Sequence, residues 1–129
     1  MATRRILIVD DNPSNMKLVS YLLTHRGYDV LTASDATQAW AVLQRERPAL
    51  ILMDLQMPGI DGFELTRRVR ADASTRHTVV IAVTAFAMAG DEGRARRAGC
   101  DGSITKPIDT RRLPGLIEEY LARSRPVGP

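Results

Sequence analysis

The hydrophobic positions of this chain gather into five short runs, and four of these close on a conspicuous polar group. Ile6-Leu7-Ile8-Val9 meets Asp10-Asp11, and Leu50-Ile51-Leu52-Met53 meets Asp54. Val79-Val80-Ile81-Ala82-Val83 meets Thr84, and the short stretch 102–105 meets Lys106. A weaker run covers 28–33. Apolar runs this short, bounded by turn formers such as Met57-Pro58-Gly59, predict strands buried on both faces.

The intervening segments have helical spacing. Asn12 or Asp11 can cap a first helix that starts at Pro13, faces Met16, Leu18, Val19, Leu22 and Leu23 inward, and ends at Gly27. Ser34 or Asp35 caps a second, running to about Arg47, with Ala36, Ala39, Trp40 and Leu43 toward the core. A third starts at Asp61-Gly62 and carries Phe63, Leu65 and Val69 to about Ala71; the polar stretch 72–76 is a loop. A fourth covers residues 87–98, weakened by Gly90 and Gly93, and Gly99 ends it. The last holds Leu113, Leu116, Ile117, Tyr120 and Leu121, and Pro114-Gly115 sets its regular start near Pro114.

Strand and helix thus alternate five times, with no repeat and no linker. That order predicts an α/β fold, a doubly wound parallel sheet with helices on both faces. One domain is expected over 1–129, with its core at about 4–123 and a frayed tail at 124–129.

Composition narrows the class. At 129 residues, 44% hydrophobic and 26% charged, the chain has the profile of a soluble globular protein, and no apolar run could span a bilayer. Asp10 and Asp11 cut off the first apolar run, unlike a signal peptide, and Cys100 is the only cysteine; a cytoplasmic protein is expected. Sixteen arginines against two lysines is lopsided, yet the net charge is only +3. The groups Arg67-Arg68-Arg70 and Arg94-Arg96-Arg97 read as solvated helix faces, so no direct nucleic-acid contact is expected. His25 and His77 have no partner at metal spacing.

An isolated aspartate after a strand serves equally as a helix cap. Here a parallel topology would bring Asp10, Asp11, Asp54, Thr84 and Lys106 to one edge of the sheet, where such folds hold ligands. Three crowded carboxylates take up protons or bind a cation, and an all-oxygen, solvent-open site suits Mg²⁺. Lys106 and the Thr84 hydroxyl beside them are suited to an incoming phosphoryl group, with Asp54 as the nucleophile of an acyl phosphate.

The same residues carry a family resemblance. Asp10-Asp11, Asp54 followed by Met57-Pro58-Gly59-Ile60-Asp61-Gly62, Thr84-Ala85 and Lys106-Pro107 resemble the receiver domain of bacterial two-component response regulators, over about residues 4–123. The stretch from Gly99 to Asp109 is similar to single-domain regulators of cell division and polarity. The resemblance implies a flavodoxin-like sheet of order 2-1-3-4-5. It implies that Asp54 accepts a phosphoryl group from a sensor histidine kinase or phosphotransfer protein. Asp11, Asp54 and the backbone carbonyl of Gln56 would ligate Mg²⁺, with Asp10 acting mainly through water. Lys106 would pair with the phosphoryl group, Thr84 would turn toward it, and Lys106-Pro107 would be a cis peptide. Such a protein is a phosphorelay component rather than an enzyme. It is a monomer or weak homodimer without membrane contact, signalling to a downstream protein through about residues 87–123.

Other classes fit less well. Haloacid-dehalogenase-type phosphatases share the aspartyl phosphate, lysine and Mg²⁺ but space their first two aspartates Asp-x-Asp; here Asp10 and Asp11 are adjacent. A flavin or nucleotide carrier would want a glycine- or hydroxyl-rich loop where Asp10-Asp11-Asn12-Pro13 stands. A phosphate-independent adaptor is the remaining alternative. Its support is Ser103, which occupies the position where the family usually carries a tyrosine or phenylalanine that moves with Thr84. Without that ring, readout is expected from Thr84 and the loop Ala85-Phe86-Ala87-Met88.

Overall fold

The computed structural model describes residues 4–55, 62–84 and 89–123. Its elements are β1 (Arg5–Val9), α1 (Pro13–His25), β2 (Asp29–Ala33), α2 (Ala36–Glu46), β3 (Leu50–Asp54), α3 (Gly62–Ala71), β4 (Val79–Thr84), α4 (Ala89–Ala98), β5 (Gly102–Thr105) and α5 (Leu113–Arg123). The strands form one parallel sheet of order β2-β1-β3-β4-β5, the expected doubly wound arrangement.

Both faces of the sheet are apolar because successive side chains point to opposite sides and both sides are covered. Leu7, Val9, Ile51, Met53, Val80 and Ala82 pack with Ala39 and Leu43 of α2, Leu65 and Val69 of α3 and Ala95 of α4. Ile6, Ile8, Leu50, Leu52, Ile81 and Val83 pack with Val19 and Leu23 of α1 and with Leu113, Ile117 and Leu121 of α5. Trp40 is half-buried cover on the first of these cores.

Local signals end the helices as expected. Asn12 caps α1, its Oδ1 accepting from Ser14 N and Asn15 N at 2.9 and 3.1 Å. Asp35 caps α2 by accepting from Gln38 N at 2.8 Å. Two buried threonines return their hydroxyls to the backbone: Thr66 donates to Gly62 O and Thr75 to Val69 O, both at 2.8 Å. The start of the expected fourth helix, at 87 and 88, lies outside the described residues, as does the tail 124–129.

Two expectations change. Leu18 does not join the core stripe of α1: it is 48% exposed, and neighbouring Tyr21 is 65% exposed. Residues 16, 19 and 23 already fill the angular width that faces the sheet, and Leu18 falls on its outer flank. Nor are the arginine groups wholly solvated faces. The Arg94 guanidinium lies 4.5 Å over the Phe63 ring, a cation–π contact joining α4 to α3.

Arg70 departs further. Its guanidinium donates to Gly99 O at 2.9 Å, Arg76 O at 2.8 Å, Thr78 O and Asp101 Oδ2 at 2.7 Å. The same Asp101 oxygen accepts from Val80 N at 2.8 Å. One side chain thereby ties α3, the approach to β4 and the turn into β5. Gly99 makes room for it: at φ +111°, its missing Cβ would stand 2.8 Å from Arg70 Cγ. The Asp101 carboxylate is 44% exposed, so the ion pair contributes less than the backbone hydrogen bonds. Arg70→Ala should cost about 2–3 kcal/mol through the carbonyls it leaves unpaired. The check is a lower urea midpoint at unchanged slope. Arg70→Lys should restore little, because an ammonium cannot span the fork.

Candidate functional site

Parallel register sets where each strand stops. Val9 pairs with both Ala33 and Met53, Asp54 with Val83, and Thr84 with Thr105. The carboxyl ends of β1, β3, β4 and β5 therefore lie at one edge. β1 is flanked by β2 and β3, so the chain reverses its winding beside it, and the crevice opens there. The N-terminus of α1 borders the same edge, its cap Asn12 two residues from Asp10.

Three carboxylates converge in that crevice. One oxygen each from Asp10, Asp11 and Asp54 lies within 4.8 Å of the others. Asp54 is 3% exposed and Asp10 6%, whereas Asp11 stands open to solvent. Lys106 Nζ donates to Asp54 Oδ2 at 2.7 Å. Asn12 N donates to Asp10 Oδ1 at 2.8 Å, and Asp10 N to Ala33 O at 3.1 Å, which fixes this aspartate against the β1–β2 ladder. Thr84 is buried, and its carbonyl accepts from Lys106 N at 2.7 Å. Lys106-Pro107 is cis, as expected.

The charges do not balance. Three carboxylates against one ammonium leave a formal −2, and two like charges at this separation repel by roughly 3–4 kcal/mol at an effective dielectric near 20. The protein responds at Asp10, whose pKa is raised. Burial is the main cause and the Asp54 charge adds to it, against the Asn12 hydrogen bond and Lys106. A pocket of this charge, walled by buried oxygens with one open side, fits a small divalent cation that keeps part of its water shell.

Every described residue among the expected site set is thus at one edge: Asp10, Asp11, Asp54, Thr84 and Lys106. Gln56 and the loop 85–88 lie outside the described residues. The sequence did not single out the ground beside the site. A groove of about 430 Å³ lies between α1 and the residues after β5, lined by Asn15, Leu18, Val19, Lys106, Pro107 and Ile108, among others. Leu18 and Tyr21 are the large exposed hydrophobics among the described residues, and Leu18 lines this groove. The signal available was a surplus: α1 carries more apolar residues than one helix face can bury.

Comparison with known proteins extends this picture over the whole sheet. The DivK polar-differentiation response regulators of Brucella ovis and Brucella suis are each 43% identical to this chain over 119 residues. That match covers 92% of this chain and 97% of theirs. Among solved structures, the chemotaxis response regulator CheY4 of Vibrio cholerae superposes with a TM-score of 0.87 at 28% identity, covering 92% of this chain and 99% of that one. The receiver domain of the Pseudomonas aeruginosa sensor histidine kinase PA1611, whose structure has a magnesium ion in its active site cleft, gives 0.84 at 34% identity, covering 94% and 99%. The model of the response regulator receiver domain matches residues 6–118, from β1 into α5 and including all five strand ends. This chain belongs to the response regulator receiver domain family.

Proposed function

We propose that the protein is a cytoplasmic phosphorylation switch that takes a phosphoryl group on Asp54 and signals through contact with another protein. The observation that carries the reading is the buried Asp54 carboxylate held by Lys106 at 2.7 Å beside Asp10 and Asp11. An ion pair alone would not explain two further acids in the same crevice.

The residues divide the work. Asp11, Asp54, the Gln56 carbonyl and, through water, Asp10 would hold Mg²⁺. When bound, the ion would supply positive charge to the phosphoryl oxygens. Asp54 Oδ attacks phosphorus in line with the donor's imidazole nitrogen. The P–N bond breaks, its electron pair stays on nitrogen, and a P–O bond forms. Lys106, released from a free carboxylate, follows the charge onto the phosphoryl oxygens. The Thr84 hydroxyl donates to one of them. Water later attacks phosphorus and returns the Asp54 carboxylate with inorganic phosphate.

A donor histidine must reach the open side of the crevice. The apolar groove between α1 and Pro107-Ile108, with Lys106 in its wall, offers a helical histidine kinase or phosphotransfer protein a docking surface continuous with the site. The downstream partner would read about residues 87–123. Catalysis is confined to the protein's own phosphorylation and dephosphorylation.

The experiment is incubation with acetyl phosphate and Mg²⁺ followed by intact-mass measurement. One phosphoryl group should be added, base-labile, sensitive to hydroxylamine and mapping to the peptide that contains residue 54. No incorporation, or incorporation that is stable to base, would falsify the reading and favour the phosphate-independent adaptor.

A further inference from the structure

Ser103 removes the aromatic ring from β5, yet an aromatic ring lies over that strand. It comes from α5. A methyl group on Gly102 would overlap Tyr120 Oη and Cζ and stand 2.7 Å from Cε1, so the phenol rests directly on the backbone where β5 begins. The ring body packs against the core shared by α1 and α5, and it is half-buried. Beside it a cavity of about 230 Å³ separates β5 from α4, with Ala95, Arg96, Cys100 and Ser103 in its wall. Ser103 also borders a second groove of about 310 Å³ on the α5 side. A strand with no side chain at 102 and a hydroxymethyl at 103 therefore leaves space on both flanks, and Tyr120 leans into it.

We propose that Tyr120 is the moving aromatic of this protein, carrying the state of Asp54 to the surface formed by α4, β5 and α5. The inference rests on the phosphoacceptor reading. The connection is short. Lys106 N is bound to Thr84 O at 2.7 Å, and Thr84 pairs with Thr105, so a pull on either Thr84 or Lys106 acts on β5. This strand is four residues long and lies at the sheet edge, paired on one side with β4, so it resists displacement weakly. Its first residue is the seat of the ring. A shift there unseats the phenol, and the adjacent cavity against α4 receives it. Tyrosine suits the task because two torsions move a large, rigid, amphipathic group between a buried and a wetted position. Tyr120 is a positioning residue that touches no reacting atom.

Incorporation of 3-fluorotyrosine gives one fluorine resonance for each of Tyr21, Tyr28 and Tyr120, assigned by the three Tyr→Phe variants. Acetyl phosphate with Mg²⁺ should shift the Tyr120 resonance in proportion to the phosphorylated fraction measured by mass, leaving Tyr21 and Tyr28 in place. Gly102→Ala should displace the Tyr120 resonance without any donor, while phosphorylation proceeds at the unaltered rate. Full phosphorylation with an unmoved Tyr120 overturns the inference and leaves the phosphoacceptor reading intact. An unmoved Tyr120 in Gly102→Ala overturns it independently of phosphate. Failure of the wild-type protein to gain mass overturns both.

Discussion

Asp54→Asn should abolish phosphoryl incorporation while leaving the fold in place. The amide keeps the size and shape of the carboxylate but offers no anionic oxygen to attack phosphorus. The strand does not depend on the charge, because Asp54 sits in register with Val83 through the backbone and Leu55 N donates to Val83 O at 2.9 Å. Lys106 can still donate to the amide oxygen. Circular dichroism should therefore be unchanged, and no mass should be gained from acetyl phosphate, at any Mg²⁺ concentration. A phosphoryl group on the variant, for example on exposed Asp11, would show that the nucleophile had been misassigned.

The second large effect concerns the crowded acids. A cation that binds only the native site stabilises it by about 2.7 kcal/mol at a hundred times its dissociation constant. Mg²⁺ should raise the wild-type melting temperature accordingly, and Asp11→Ala should lose both that rise and phosphorylation. Asp10→Asn removes the charge that burial and, behind it, the Asp54 carboxylate oppose. The native state holds the Asp10 proton more tightly than the unfolded chain does. As pH rises from the ordinary carboxylate range, the unfolded chain releases that proton first, so native stability falls until Asp10 itself has titrated. In chelator, wild type should thus lose stability relative to Asp10→Asn over that interval and hold a constant deficit above it. In Mg²⁺ the deficit should shrink or reverse, because the charged form then has a counterion. Identical pH profiles for the two proteins in chelator would show that neither burial nor the neighbouring carboxylate opposes the Asp10 charge.

Much of the architecture was legible because it rests on local rules. Runs such as Leu50–Met53, too short for a helix and bounded by turn formers, form strands buried on both faces, Asn12 and Asp35 cap by reaching two or three residues along the chain, and Pro114 sets a helix start. The site was legible for a related reason. A parallel sheet places all its carboxyl ends together, so polar residues at the ends of β1, β3, β4 and β5 had to meet once the alternation was recognised.

What failed to show in the sequence depends on long side chains crossing between elements. Arg70 reads as one of a basic group, and only the arrival of Gly99, Thr78 and Asp101 around its guanidinium turns it into a clamp. Leu18 reads as core, because periodicity counts apolar residues without saying how wide a face the sheet can cover.

The sequence by itself determined the order of the elements, their winding into a parallel sheet and the meeting of Asp10, Asp11, Asp54, Thr84 and Lys106 at one edge. Hydrophobic period, capping and chain chirality act over a few residues, so they can be read before any helix has packed. Tertiary structure alone decided that Asp54 is paired with Lys106 and that burial beside Asp54 raises the Asp10 pKa. It alone decided that Tyr120 of α5 lies over the bare backbone at Gly102. Ionisation and side-chain seating depend on distances of a few ångströms between residues far apart in the chain, and those distances exist only once the helices have packed.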